Sequence, residues 1–137
     1  MLKTLIIDDN DHKIDNIRKY LKESGINSIT VKKTRNQGLM ELRRKESEDD
    51  PYELLVLDMM FPNYPNGQIN QYAGYDVLRE IKRNKWKLPV ILCSNKSITD
   101  ISEYINVVGI IQYDQSVLQT EEFREFIKKY KEQKIST

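Results

Sequence analysis

The sequence predicts an α/β fold, a doubly wound five-stranded parallel sheet with helices on both faces. Three observations predict it. Short apolar runs alternate along the chain with segments whose apolar residues recur at helical spacing, the pattern of repeated strand–helix–strand units. The central run, Leu54-Leu55-Val56-Leu57, is apolar at every position, as a strand buried on both faces requires. Two of the runs end abruptly in aspartate, at Asp8 and Asp58, and open α/β sheets gather their chemistry outside the carboxyl ends of the strands. Right-handed crossovers restrict the topology further. In a sheet ordered 2-1-3-4-5 the first and third strands are neighbours.

The elements follow in order. Leu2 to Ile7 is the first strand, ended by Asp8-Asp9-Asn10-Asp11, four polar residues that stop a strand and can cap a helix. Ile14, Ile17 and Leu21 mark the first helix and Gly25 stops it,. Ser28 to Val31 is the second strand, and Asn36 can cap a second helix whose apolar face is Leu39, Met40 and Leu42. Pro51 lies beyond its end,. Leu54 to Leu57 is the third strand. Asn63 to Gly74 is rich in turn residues and amides without apolar periodicity, so it reads as a long loop of the kind that often borders a site. Val77, Leu78 and Ile81 mark the third helix, and Pro89 to Cys93 is the fourth strand. Ile98, Ile101 and Ile105 recur at helical spacing and predict a fourth helix,. Val107 to Tyr113 is the fifth strand, and Phe123, Phe126, Ile127 and Tyr130 form the face of a fifth helix.

The bulk numbers exclude several classes. A chain of 137 residues is one domain of ordinary size,, with a core over about 2–130 and a polar tail, 131–137, expected to fray. A net charge of +1 creates no field that would favour nucleic acid or an anionic membrane,. Cys93 is the one cysteine, which rules out an internal disulfide framework and fits a reducing cytoplasm. The N-terminus lacks a signal-peptide pattern. No apolar run approaches the roughly 20 residues of a membrane helix.

The chemistry sits at the strand ends. Asp8 and Asp9 follow the first strand and Asp58 the third, so the predicted order brings three carboxylates together. Like charges raise one another's pKa, and a bound cation is the usual remedy. Oxygen ligands with open positions suit Mg²⁺, which often bridges to phosphate. A carboxylate facing such a site can act as a nucleophile toward a phosphoryl group, and Asp58 is the candidate. Ser94 ends the fourth strand, where its hydroxyl could donate to a phosphoryl oxygen or simply cap a helix.

Ile6-Ile7-Asp8-Asp9-Asn10, then Val56-Leu57-Asp58-Met59-Met60-Phe61-Pro62, then Pro89 and its strand into Ser94, resemble the receiver domain of bacterial two-component response regulators. The resemblance covers Leu2 to about Tyr130. It implies a flavodoxin-like fold, Asp58 as phosphoacceptor, and Asp8 and Asp9 as Mg²⁺-binding acids with the Met60 carbonyl as a further ligand. It also implies Ser94 as a contact to the phosphoryl group. The implied phosphodonor is a histidine kinase or phosphotransfer protein. The output is a downstream protein target, with a homodimer through the fourth helix, fifth strand and fifth helix as a further option. The implied location is the cytoplasm. No output domain follows in this sequence, so a stand-alone receiver is expected.

Two departures accompany the resemblance. The family carries a lysine at the end of the fifth strand, but no lysine occurs between Lys96 and Lys128. Tyr113 aligns with the missing residue. Lys96, two residues after Ser94, either reaches in as a substitute or is an exposed loop lysine. The second departure is the Asn63 to Gly74 insertion, which could lid the pocket, add a partner surface or be a tolerated surface loop. Three functions therefore stand beside one another: a switching receiver, a pseudo-receiver that only binds partners, and a small Mg²⁺-dependent phosphohydrolase. The last suffers from Asn10 standing where an Asp-x-Asp motif starting at Asp8 would need its second acid.

Overall fold

Strands form where the apolar runs were read, and the computed structural model orders them as the alternation predicts. It describes residues 2–116 and 119–135, with side chains up to residue 130. The elements are β1 (Thr4–Ile7), α1 (Asp11–Glu23), β2 (Ile29–Lys32), α2 (Arg35–Ser47), β3 (Leu54–Leu57), β4 (Phe61–Pro62), β5 (Ile69–Asn70), α3 (Ala73–Asn84), β6 (Val90–Ser94), β7 (Val107–Gln112) and α4 (Thr120–Ile135). Five strands make one parallel sheet in the order β2-β1-β3-β6-β7. With the β4–β5 pair set aside, this is the 2-1-3-4-5 order, a flavodoxin-like fold.

Side-chain alternation divides the core in two. Leu5, Ile7, Leu55, Leu57, Val90 and Leu92 face α2 and α3. Ile6, Leu54, Val56, Ile91, Cys93 and Ile111 face α1 and α4. The period-2 pleat sends neighbouring residues to opposite faces, and every residue of β1, β3 and β6 is buried. Burying a side chain such as Ile17 or Leu21 of α1 contributes about 1.5–3 kcal/mol,. Tyr20 of α1 stacks on Phe123 of α4 with ring centroids 5.2 Å apart.

The start of each helix follows from local chemistry. Asn10 caps α1, its side chain accepting from the Lys13 N–H at 3.1 Å. Thr34, not Asn36, caps α2 and accepts from the Gln37 N–H. The hydroxyl one residue before the helix has the extended backbone a cap needs, whereas Asn36 already lies inside the first turn,. Gly25 takes a left-handed φ of 89° after α1, as expected of a helix stop,.

The structure departs from the sequence reading in two further places. The predicted fourth helix is absent: residues 95–106 form turns and bends. Ile98, Thr99 and Ile101 are β-branched and poor helix formers, and Asp100 adopts a left-handed φ of 57° that breaks any helix there. The Asn106 side chain ties the segment's end by donating to the carbonyls of Trp86 and Leu88. Ile98 and Ile101 still turn toward the α2–α3 side of the core, whereas Ile105 is 91% exposed. Without a helix over them, Val108 and Ile110 of the edge strand β7 are also exposed. A dimer face containing a fourth helix, as the resemblance implied, is therefore not built here.

The second departure is at the insertion, which is not a plain loop. Phe61–Pro62 and Ile69–Asn70 pair as a small antiparallel hairpin. At the C-terminus α4 extends through Ile135. Residues 136–137 of the polar tail lie outside the described residues.

Candidate functional site

Parallel pairing sets the ends of the strands level. Ile7 pairs with Leu57 and Leu57 with Leu92. The Asp58 N–H donates to the Ile7 carbonyl at 3.0 Å and the Asp8 N–H to the Lys32 carbonyl at 3.1 Å. Asp8, Asp9 and Asp58 thus meet at the carboxyl edge, with one oxygen from each lying within 4.8 Å of the others.

The three acids differ in surroundings. Asp8 is 1% exposed, and its Oδ1 accepts from the Asn10 N–H at 3.0 Å. Burial pushes its carboxyl up to about 6, against the pull of the Lys13 ammonium and with a further push from Asp58. Asp9 is only half-buried, and burial followed by the Asp58 charge raises its carboxyl, opposed by its own backbone N–H and by Lys13. Asp58 follows β3 directly, its Oδ1 held by the Met59 N–H at 2.8 Å. Its side chain keeps 11% of its surface open, against 2% for Asp8.

The residue that sequence reasoning missed is Lys13. Its Nζ lies 2.8 Å from Asp8 Oδ2 and 3.2 Å from Asp58 Oδ1, and it donates to the Cys93 carbonyl at 2.6 Å. One ammonium therefore joins the ends of β1, β3 and β6. Burial works against its charge, but Asp8 and Asp58 outweigh that and hold its pKa above the ordinary lysine value. The signal was present in the sequence. With Ile14, Ile17, Tyr20 and Leu21, Lys13 lies on the buried face of α1, and a lysine on an apolar face at the mouth of an acid cluster needs counter-charges.

The other predicted residues take distinct places. Ser94 ends β6, 1% exposed, with its Oγ accepting from the Lys96 N–H at 3.2 Å. The Lys96 side chain is exposed, so Lys13 and not Lys96 provides the cation paired with Asp58. Tyr113 follows β7 directly, and its N–H donates to the Ser94 carbonyl. Its ring centroid lies 5.5 Å from Lys13 Nζ, and its Oη meets the Asn16 amide at 2.7 Å. The position aligned with the family's lysine is thus an aromatic wall beside a lysine that arrives from α1. Met60 lies in the turn between Asp58 and β4. Burial pushes the Cys93 thiol up to about 12, which makes it a packing residue,.

The turn after Asp58 is clamped by α3. The Gly74 N–H donates to the Met59 carbonyl at 3.1 Å. A Cβ on Gly74 would come within 2.7 Å of the Asp58 carbonyl oxygen and of Met59 Cα, so only glycine permits this approach. The inserted hairpin is held by its amides. Asn70 donates to Asn63 Oδ1 at 2.8 Å and receives the Tyr72 N–H. Tyr64 and Tyr72 are exposed rather than turned into the pocket.

A cleft of about 1280 Å³ lies elsewhere, between α2 and α3, and carries five arginines. They are met by acids of the same helices: Arg35 and Arg79 pair with Asp76, Arg43 and Arg83 with Glu80, and Arg44 with Glu41. That surface is partly neutralised from within and stands apart from the aspartates.

Comparison with known proteins agrees with the geometry. The sequence model of the response regulator receiver domain matches residues 4–113. A response regulator receiver domain protein from Clostridium thermocellum shares 21% identity, with full coverage of both chains and a TM-score of 0.68. The response regulator TrrA from Thermotoga maritima, solved in complex with Mg²⁺ and BeF, shares 20% identity over 95% of this chain and 99% of its own, with a TM-score of 0.66. The uncharacterized protein y4jS of Sinorhizobium fredii is 36% identical over 91 residues, which are 64% of this chain. The match spans about a fifth of that relative's length, 21%.

Proposed function

The chain belongs to the response regulator receiver family, and on that premise we propose that it accepts a phosphoryl group on Asp58 from a histidine kinase or phosphotransfer protein. The observation that carries the reading is the convergence of Asp8, Asp9 and Asp58 within 4.8 Å at the sheet's carboxyl edge, with Asp58 the strand-end acid that keeps an open side. In the transfer, an Asp58 carboxylate oxygen forms a bond to phosphorus as the donor's P–N or P–O bond breaks. The electron pair leaves with the imidazole or acetate. The Ser94 hydroxyl, one step along the neighbouring strand, donates to a phosphoryl oxygen.

The donor set fits Mg²⁺. It consists of hard carboxylate oxygens, and among the described residues three acids face a single ammonium,. Asp8, Asp9, Asp58 and the Met60 carbonyl would hold the ion, which when bound offsets the repulsion between the carboxylates and an anionic donor. The chain's own share is positional. The Met59 N–H fixes Asp58, and Gly74 lets α3 hold the turn that carries it.

Like other receivers, the domain acts as a switch rather than a turnover enzyme, and its output is contact with a protein target. Among the described residues no helix is long and apolar enough to cross a membrane. Its work is read as cytoplasmic, without nucleic-acid contact by this domain. A pseudo-receiver that binds partners without switching is the alternative, and the intact cluster of Asp8, Asp9 and Asp58 favours the phosphoacceptor.

The test is intact-mass spectrometry after incubation with acetyl phosphate and Mg²⁺. One phosphoryl adduct per chain, lost on EDTA treatment before the donor is added, is the expected result. An unchanged mass would overturn the reading.

A further inference from the structure

Resting on Asp58 as acceptor, we propose that Lys13 is the cation that binds the phosphoryl group on Asp58, and that α1 rather than the end of β7 therefore supplies the phosphate-sensing ammonium. Three observations carry this. Lys13 is 3% exposed, so its charge is desolvated and must be spent on partners inside the pocket. Its Nζ contacts the Asp58 carboxylate at 3.2 Å, which leaves it within reach of oxygens carried by a phosphoryl group there. The sheet end that would carry such a cation presents Tyr113, whose ring centroid lies 5.5 Å from that same Nζ. Position 113 and Lys13 thus lie beside one another at the ends of the strands.

The bland alternative is that Lys13 only neutralises the buried Asp8. Its contacts argue against so narrow a role, because the ammonium spans three strands: Asp8 Oδ2 at 2.8 Å, Asp58 Oδ1 at 3.2 Å and the Cys93 carbonyl at 2.6 Å. The site also offers a route for the signal. Lys13 and Asn16 are on the same helix, and Asn16 reaches the Tyr113 hydroxyl at 2.7 Å. A Lys13 side chain drawn toward the phosphoryl group would alter the contact between α1 and the end of β7.

The two roles predict opposite signs for Lys13→Met, which keeps length and removes charge. Mg²⁺ alone is expected to bind more tightly, because the acid cluster loses a competing cation. Beryllofluoride with Mg²⁺, a stable stand-in for the phosphoryl group, is expected to bind about tenfold or more weakly through loss of a charge-assisted contact. A mere counter-ion would give tighter binding of both, and that result would overturn the proposal. Lys13→Met with Tyr113→Lys, which returns an ammonium from the strand end, should recover most of the beryllofluoride affinity. A double variant no better than the single one would count against a shared position. A measurement on the unaltered protein does not depend on variant folding. The ¹⁵Nζ resonance of Lys13 should shift when beryllofluoride is added to the Mg²⁺-bound protein, and an unmoved resonance would overturn the inference. Failure of the unaltered protein to bind beryllofluoride at all would instead remove the acceptor reading of Asp58.

Discussion

Asp58→Asn is expected to take up no phosphoryl group from acetyl phosphate and Mg²⁺, where the unaltered chain takes up one. The substitution changes almost no volume. The amide oxygen can still accept from the Met59 N–H and from Lys13, which hold Oδ1 at 2.8 and 3.2 Å. What is lost is the nucleophile, because a neutral amide oxygen does not attack phosphorus at a useful rate. The fold should not suffer. Asp58 contributes to the upward push on the Asp8 carboxyl, so removing its charge relieves repulsion between the two acids. A melting temperature at or above that of the unaltered protein is expected at neutral pH. Asn in place of Asp also keeps an oxygen acceptor for Lys13, which a smaller apolar replacement would leave with Asp8 and the Cys93 carbonyl alone.

Phe61→Ala is expected to cost about 3–5 kcal/mol of stability, the range for removing a buried aromatic ring. Phe61 is fully buried in the short strand β4 and belongs to the same apolar cluster as Leu57, Ala73, Val77 and Leu78. It anchors the inserted hairpin to α3 three residues after Asp58, so the cavity would open directly beneath the turn that presents the acceptor. Urea unfolding monitored by circular dichroism measures the cost. A loss under 1 kcal/mol would mean that the hairpin rearranges to fill the space. By contrast, replacing the exposed Tyr64 at the hairpin's turn should change stability by less than about 0.5 kcal/mol,.

The sheet and the acid cluster were legible because they rest on strong, local signals. Leu54 to Leu57 is apolar at every position and ends in Asp58, and Ile6-Ile7 runs into Asp8-Asp9 in the same way. Parallel pairing then needs no further information to set these ends side by side. The missing helix between β6 and β7 was not legible from spacing alone. Ile98, Ile101 and Ile105 fall at helical intervals, but β-branching at 98, 99 and 101 and the left-handed Asp100 outweigh the spacing,. The core takes Ile98 and Ile101 from an irregular segment instead.

Lys13 illustrates a different limit. The helical spacing places Lys13 on the apolar face of α1, but only the three-dimensional meeting of β1, β3 and β6 reveals which groups let its charge be buried there. The β4–β5 hairpin was missed for a related reason. Its strands are two residues each, too short for alternation to show, and the amide network of Asn63 and Asn70 that holds them is a tertiary feature.

On the proposed function, phosphate is carried as an acyl phosphate on Asp58. Its most direct test is borohydride treatment of the protein after incubation with acetyl phosphate and Mg²⁺, followed by peptide mapping. Borohydride reduces an aspartyl phosphate to homoserine and leaves a free aspartate untouched. Homoserine at position 58 alone is the result predicted. Homoserine at Asp8 or Asp9, or an unreduced Asp58 in a protein that carries phosphate, would contradict it.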